Sequence, residues 1–332
     1  MARQESERLN PALTHDMAYV TQSAALAVSR LVGHGNEKAA DAAAVKAMRD
    51  AFNELSINGT VVIGEGERDQ APMLYIGEEV GRMGADDISI DIALDPLEGT
   101  TLAANGSANA IAVLAIAPKG SLLNAPDVYM EKVAIGPGYE AGLVSVEKTP
   151  IENIQALAKA KGVEPKDIRV CILERQRHQK IISELHGIGC STILIEDGDI
   201  AGVIATARES SNVDIYMGIG GAPEGVLAAA ALNCIGGQFE GRLLFRNDDE
   251  RDRAHRCGIE DLNRVYKLHD LAKSDTIFAA TGVTDGSLIR GVYKDLRGVS
   301  VTQSLIMQAS TGQVSYITTE HRHIPDLATF MK

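Results

Sequence analysis

Residues 90–100 have the sequence Ile-Asp-Ile-Ala-Leu-Asp-Pro-Leu-Glu-Gly-Thr. The alternating apolar residues predict a β-strand that stops at Asp95 and Pro96, because proline cannot continue a strand ladder. Gly99 permits a tight turn after the strand. We therefore expect this turn to hold three polar side chains close together at a strand end: Asp95, Glu98 and Thr100.

A second stretch, residues 61–69, has the same organisation: Val-Val-Ile-Gly-Glu-Gly-Glu-Arg-Asp. A short apolar strand is followed by three acids, Glu65, Glu67 and Asp69. Clustered carboxylates repel one another unless a cation lies among them, and such oxygen ligands suit Mg²⁺ or Mn²⁺ better than zinc. The alternative is a pair of solvated acidic turns. Two glycine-rich turns that both follow strands favour a metal site.

Length and charge limit the classes of function. A chain of 332 residues exceeds the usual size of a single core, so two domains are expected. The net charge of −13 argues against nonspecific binding to nucleic acid or to an anionic membrane. An anionic substrate remains compatible with this charge, because a bound metal ion reverses the local field.

The chain shows no targeting or membrane signal. The first eight residues lack the apolar core of a signal peptide, and no apolar run approaches the length of a membrane span. The cysteines have no close pairing and no Cys-x-x-Cys motif, which is typical of a reducing compartment. We therefore expect a cytoplasmic protein with four free thiols, of which Cys171 and Cys234 lie in the core.

Hydrophobic periodicity predicts an α/β protein with two α/β domains, 1–145 and 146–332. Expected helices in the first are 17–33, 38–55 and 72–83, and expected strands are 60–63, 88–94, 108–116 and 131–135. The second half alternates short strands with helices, which predicts a parallel or mostly parallel sheet. Three strand-like stretches follow near the C-terminus, at 276–281, 299–307 and 313–318.

Ligands of parallel sheets bind at the carboxyl ends of the strands, and three such ends carry polar residues. Arg175 and Arg177 suit phosphate, although an isolated pair is more often surface charge. Asp197 and Asp199 would bind sugar hydroxyls, unless Asp199 only caps the following helix. The run 218–224, Gly-Ile-Gly-Gly-Ala-Pro-Glu, lacks dinucleotide-binding spacing. Its glycines let the backbone approach a ligand closely. Its glutamate, Glu224, either ligates a metal ion or complements the helix dipole.

Several blocks in this order resemble class II, GlpX-type fructose-1,6-bisphosphatases, some of which also accept sedoheptulose 1,7-bisphosphate. The matching blocks cover nearly the whole chain: 41–45, 62–69, 71–78, 95–100, 124–130, 197–199 and 218–225. The resemblance implies the sugar-phosphatase fold, a layered α-β-α-β-α architecture of the lithium-sensitive phosphatase superfamily. It also implies a homo-oligomer, dimer or tetramer.

The resemblance assigns roles position by position. The implied Mn²⁺ or Mg²⁺ ligands are Asp41, Glu65, Asp95, Glu98 and Glu224. The implied substrate contacts are Glu98, Gly99, Thr100, Tyr129, Arg175, Gln176, Arg177, Asp197, Gly198, Asp199 and Gly221. Asp41 looks from its pattern like a helix-capping residue, and Gln176 replaces the proline that relatives commonly carry.

The implied reaction is hydrolysis of the 1-phosphate of fructose 1,6-bisphosphate. Two divalent ions would clamp the attacking and departing oxygens. Thr100 would orient the water and pass a proton toward Asp69 or Glu67, while the arginines hold the phosphate that is not cleaved. Two alternatives are a related phosphatase for inositol phosphates or 3′-phosphonucleotides, and a metal-dependent sugar-phosphate sensor without turnover.

Overall fold

The computed structural model describes residues 8–65 and 73–322. Contacts between Cα atoms divide the chain into two compact units. The first unit comprises Met1–Leu122 and Ser274–Lys332, and the second comprises Leu123–Lys273. This division differs from the predicted domains 1–145 and 146–332, because the C-terminal strands return to the first unit.

The first unit consists of one mixed sheet and helices that pack against it. Its strands have the order β12-β13-β11-β4-β3-β1-β2, and β14 also pairs with β13. Only the β1–β3 pair is parallel within the described residues. The elements are α1 (Leu13–Ser29), α2 (Glu37–Phe52), β1 (Ile57–Ile63), β2 (Glu79–Val80), β3 (Ile88–Glu98), α3 (Thr100–Asn105), β4 (Ile111–Pro118), β11 (Ile277–Gly282), β12 (Tyr293–Lys294), β13 (Ser300–Gln308) and β14 (Gln313–His321).

The core of the first unit lies between this sheet and the two long helices. Met17, Val20 and Phe52 are among the fully buried helix residues, and they pack with buried residues of β3, β4 and β11. β4 is the long apolar run of the sequence, and it is buried almost throughout. The two predicted N-terminal helices and the strands of this unit are thereby confirmed, with shifted ends.

Strand β3 does not stop at Pro96 as predicted but continues to Glu98. Its register against β4 shifts between Asp95, opposite Val113, and Glu98, opposite Ile111. Such an irregularity is a β-bulge, which leaves a backbone group outside the ladder. Proline is tolerated there, because its missing N–H would not be paired. The bulge therefore carries the two acids within the strand rather than in a turn after it.

The predicted helix at 72–83 is wrong over its described residues, 73–83. These residues form turns and the short strand β2. Leu74, Gly77 and Gly81 have positive φ angles, which a right-handed helix does not allow. The buried Glu78 accepts a hydrogen bond from Arg49 Nε at 2.6 Å, which anchors this segment to α2.

The second unit is a six-stranded mixed sheet in its described part, with the order β10-β9-β5-β8-β6-β7. As predicted, β6, β7 and β8 are parallel, but β5, β9 and β10 add antiparallel pairs. The elements are β5 (Tyr129–Ile135), α4 (Pro150–Lys161), β6 (Arg169–Leu173), α5 (Gln179–Gly187), β7 (Ser191–Ile195), α6 (Asp199–Ala205), β8 (Ile215–Gly221), α7 (Ala222–Ile235), β9 (Gln238–Leu244), α8 (Asp248–Arg256), β10 (Val265–Lys267) and α9 (Leu268–Leu271). Single 3₁₀ turns lie at Pro165–Asp167 and Gln176–His178.

The sheet of the second unit has different surroundings on its two faces. One face packs against α4 and α5 through buried residues such as Val133, Leu157 and Leu185. Because side chains alternate along a strand, Lys132 points to the opposite face, where its ammonium meets α6. No helix within residues 8–65 and 73–322 has the length and apolar character needed to cross a bilayer.

Candidate active site

The parallel strands β1 and β3 bring the two acidic stretches of the first unit to one edge. Ile63 pairs with Ala93, so Glu65 and Asp95 each lie two residues beyond the same rung of the ladder. Glu65 is further fixed by its backbone N–H, which donates to Leu74 O at 2.8 Å. The register thus places the two acidic stretches side by side on neighbouring strands.

The turn after β3 depends on a left-handed glycine. Gly99 has φ 83° and ψ 48°, and Thr100 then begins α3. Glu98 is buried, whereas Asp95 and Thr100 are half-buried. Asp95 Oδ1 accepts a hydrogen bond from Leu97 N at 3.0 Å, which fixes its carboxylate within the bulge.

Asp41 lies in the second turn of α2, and α2 packs against both β3 and α3. It is not the cap of its helix, because Asn36 Oδ1 accepts the capping hydrogen bond from Ala39 N. The predicted catalytic residues Glu67 and Asp69 lie outside the described residues. In residues 8–65 and 73–322, no group of three or more His, Cys, Asp or Glu side chains is arranged to hold a metal ion.

In the second unit, five strands contribute residues to one edge of the sheet, which we call the carboxyl edge. β6, β7 and β8 end there, and the antiparallel β5 begins there with Tyr129 opposite Gly221. β9 also ends there, with Leu244 opposite Tyr129. The topology therefore places at this edge most of the substrate contacts that the sequence predicts for this unit.

Asp197, Gly198 and Asp199 form a turn like that after β3. Gly198 has φ 87° and ψ 45°, and Asp199 begins α6. Asp199 is buried, and its Oδ2 lies 2.5 Å from the equally buried Lys132 Nζ. Its carboxylate is thus held by Lys132 and does not cap the helix. Burial raises the pKa of the Asp197 carboxyl, as does the nearby Asp199, whereas Arg175 lowers it.

The glycines before Glu224 leave room for carboxylates. A Cβ at Gly220 would collide with Asp199 Oδ2, and a Cβ at Gly221 would collide with Glu224 Oε2. Glu224 is half-buried as a residue, but its Oε2 atom is buried without a hydrogen-bond partner in the described structure. Burial, and then the charge of Asp199, raise the pKa of Glu224 to about 7.

The Glu224 carboxylate by itself has the chemistry that a hard cation requires. A buried carboxylate oxygen without a hydrogen bond gains a partner when a cation binds, and a cation restores its charged form. The residues assigned as ligands are all carboxylates, which is the donor set that Mg²⁺ and Mn²⁺ prefer.

Buried His178 organises the loop after β6. Its Nδ1–H donates to Leu173 O at 2.7 Å, and its Nε2 accepts from Ile219 N at 2.8 Å. Burial lowers the pKa of this imidazole, and Arg177 and Arg175 lower it further, whereas the hydrogen bond to Leu173 O raises it. Because Nε2 accepts the Ile219 N–H, the ring is neutral in this arrangement. His178 thereby ties the arginine loop to the glycine strand β8.

The two predicted arginines are separated in the sequence by the exposed Gln176. Arg177 donates from Nε and Nη2 to Ile219 O at 3.0 and 2.7 Å. Its guanidinium also lies over the Tyr129 ring, 4.8 Å from the centroid. Arg175 donates to Glu174 O at 3.0 Å. The loop thus presents two cations at the carboxyl edge.

Three residues at this edge were not predicted from the sequence: Lys132, His178 and Arg246. A lysine inside the predicted strand 131–135 was an available signal, because a buried strand lysine needs a partner. The His178 and Arg246 sites depend on strand pairings, which the sequence pattern did not provide. Arg246 lies over the Tyr129 ring, 5.1 Å from the centroid.

A cavity of about 630 Å³ lies in the first unit and contains none of these residues. It has a basic lining that includes Arg30, Lys294, Arg297 and Arg322. Arg297 is paired with Asp295 and Glu320, and Arg322 is paired with Glu320. Much of its positive charge is therefore already neutralised by the chain itself.

A family model described as bacterial fructose-1,6-bisphosphatase, glpX-encoded, matches residues 11–321. The chain belongs to this GlpX-type family. It is 42% identical over 322 residues to fructose-1,6-bisphosphatase 1 class 2 of Escherichia coli K12, covering 93% of this chain and 95% of the relative. The same values hold for the class 2 enzymes of Escherichia coli O6:H1 and Shigella flexneri.

Proposed function

We propose that this member of the GlpX-type family is a fructose-1,6-bisphosphatase, which hydrolyses the 1-phosphate to give fructose 6-phosphate and phosphate. The observation that carries the proposal is the carboxyl edge of the second unit. Arg175 and Arg177 offer charge-assisted hydrogen bonds to a phosphate there, beside the carboxylates of a glycine turn that suits sugar hydroxyls. The identity to class 2 enzymes extends over nearly the whole chain and supports the same activity.

The proposed metal ligands are distributed over the sequence. Asp41, Glu65, Asp95 and Glu98 belong to the first unit, and Glu224 belongs to the second. Divalent cations, when bound there, would neutralise phosphate charge and lower the pKa of the attacking water. We propose Mg²⁺ or Mn²⁺, because carboxylate oxygens prefer hard cations.

The chain's own side chains then orient the reactants. Thr100 accepts a hydrogen bond from the water and passes a proton toward Asp69 or Glu67 as the water oxygen attacks phosphorus. The departing sugar oxygen takes up a proton from solvent water. Arg175 and Arg177 hold the phosphate that is not cleaved, so binding energy remote from the reaction lowers the barrier. The proposed substrate contacts also include Glu98, Gly99, Tyr129, Gln176, Asp197, Gly198, Asp199 and Gly221.

Four further expectations accompany this proposal. The layered fold of the lithium-sensitive phosphatases is supported by one sheet with packed helices in each unit. A cytoplasmic location is supported by four free cysteines, three of them buried. A homo-oligomer and activity on sedoheptulose 1,7-bisphosphate are predictions from the family resemblance alone.

Phosphate release by the purified protein tests the function. We expect turnover of fructose 1,6-bisphosphate with Mg²⁺ or Mn²⁺, and loss of turnover on chelation that is reversed by adding the metal. Faster turnover of inositol phosphates or 3′-phosphonucleotides would support the related phosphatase instead. Binding of the bisphosphate without phosphate release would support a sensor. Sedoheptulose 1,7-bisphosphate in the same assay tests the wider substrate range.

A further inference from the structure

Strand β9 carries an arginine to the edge where the proposed substrate binds. β9 ends at Leu244, which pairs with Tyr129, and Arg246 follows two residues later. We propose that Arg246 is a third arginine of the site for the uncleaved phosphate and that it selects substrates with two phosphates. This inference rests on the proposed bisphosphatase function.

Arg246 and Arg177 contact the same aromatic ring. Their guanidinium carbons lie 5.1 Å and 4.8 Å from the Tyr129 centroid, which is within cation–π distance. Because both lie about 5 Å from one point, the two positive charges are at most about 10 Å apart and repel each other. An anion bound beside the ring would relieve this repulsion.

Arg246 is held in place by a neighbouring acid. Its Nε donates to Glu250 Oε1 at 2.7 Å, and its backbone N–H donates to Glu250 Oε2 at the same distance. Glu250 is only 1% exposed, and its own backbone N–H donates to the helix cap Asn247. The arginine is therefore oriented before any ligand binds.

Part of the guanidinium remains available. The bonds to Glu250 use Nε and Nη2, and in the described part of the chain Nη1 makes no hydrogen bond. The side chain of Arg246 is 49% exposed. A planar, pre-oriented guanidinium with a spare donor suits a phosphate oxygen.

The surroundings favour a phosphate over a single negative charge. Arg175 and Arg177 lie at the same edge, so Arg246 makes three arginines, of which only Arg246 has an ion pair in the described residues. A terminal sugar phosphate, with up to two negative charges, matches the charges of Arg175 and Arg177 and the spare Nη1 donor of Arg246, whose own charge is shared with Glu250.

The test compares two arginines of the same strand region. Arg246→Gln removes the charge, and the control Arg242→Gln removes the guanidinium that pairs with Glu131 at 2.9 Å. Kinetics are measured on fructose 1,6-bisphosphate and on fructose 1-phosphate, which lacks the distal phosphate. Since a charge-assisted hydrogen bond is lost, Arg246→Gln should lower kcat/KM for the bisphosphate by about 10–150-fold.

We expect the monophosphate activity of Arg246→Gln, and both activities of Arg242→Gln, to change less than about threefold. An equal loss on both substrates would overturn the proposal and make Arg246 structural, as would an unchanged bisphosphate activity. If Arg246→Gln does not fold, Arg246→Lys should fold and lose activity on the bisphosphate only. Absence of bisphosphate hydrolysis by the wild-type protein would instead refute the proposed function.

Discussion

The turns Glu98-Gly99-Thr100 and Asp197-Gly198-Asp199 share one backbone form but differ in their surroundings. Each places a left-handed glycine between an acid and the first residue of a short helix, with φ and ψ angles that agree within a few degrees. In the second turn, the chain supplies its own cation, Lys132, to the buried Asp199. In the first turn, a bulge carries Asp95 and Glu98 together.

This difference shows that local sequence and charge partner are separate determinants of a site. An acid, a glycine and a polar residue after a strand suffice for the backbone form. The role of the carboxylates depends on what distant strands bring to them. The proposed roles differ in the same way: the second turn is proposed to hold a sugar-binding carboxylate, and the first to bind metal and orient water.

The largest expected effect comes from removing a carboxylate of the first turn. Asp95→Asn keeps an oxygen for the Leu97 N–H but removes the charge proposed to hold a cation. Since metal-ion stabilisation is worth several kcal/mol and each 1.4 kcal/mol is about tenfold, we expect phosphate release to fall by about 10⁴-fold or more. The variant should stay folded by circular dichroism. The exposed Glu79→Gln is the control, and near-normal activity of Asp95→Asn in excess Mn²⁺ would refute the ligand role.

The hydroxyl of the first turn gives the next largest effect. Thr100→Val keeps the shape of the side chain but removes the proposed proton path, so we expect kcat to fall by about 10²–10⁴-fold. Steady-state kinetics on fructose 1,6-bisphosphate measure this. An unchanged kcat with a raised KM would mean that Thr100 only binds phosphate, and Thr101→Val serves as the control.

The role of Lys132 as the cation of the second turn can be tested by measuring the free energy of unfolding. Lys132→Met leaves the buried Asp199 carboxylate without its ammonium, and breaking such a pair costs about 3–5 kcal/mol. Urea unfolding of the metal-free protein measures the loss. Lys132→Met combined with Asp199→Leu should recover part of it. If the double variant is no more stable than Lys132→Met, the pair is not the cause.

The smallest expected effect is the contribution of His178 to the pH dependence of folding stability. Because burial lowers its pKa in the folded state, the unfolded chain takes up a proton first as pH falls below about 6.5. The stability that depends on neutral His178 is therefore present above pH 6.5 and is lost on acidification, by at most about 1.4 kcal/mol per pH unit. Wild type should lose more stability than His178→Gln between pH 7 and pH 5. Parallel unfolding curves for the two would contradict this.

Much of the fold was predictable because strands and helices have strong apolar periodicity. β3, β4 and the alternating elements around β6, β7 and β8 were found in this way. Pro96 led to a wrong strand end. The strand continues past it because the bulge lacks the ladder hydrogen bond that proline cannot donate. The expected helix 72–83 failed because left-handed residues such as Leu74 are not visible in periodicity.

Candidate site residues could be chosen from the sequence where one short stretch carries several polar residues. The acidic stretch of β3 and the glycine run before Glu224 are of this kind. Lys132, His178 and Arg246 act through partners far away in the chain, and those partners follow from strand order. Strand β9 and its direction were not predicted, so nothing in the sequence pattern connected Arg246 to Tyr129.

The sheet order of the first unit has a consequence for synthesis on the ribosome. β4 pairs with β11, and the whole second unit, Leu123–Lys273, separates these two strands in the chain. The second unit can therefore complete its sheet while the first still has β4 as an open edge. Open edges recruit other chains, so nascent molecules halted before β11 should be the most prone to aggregate.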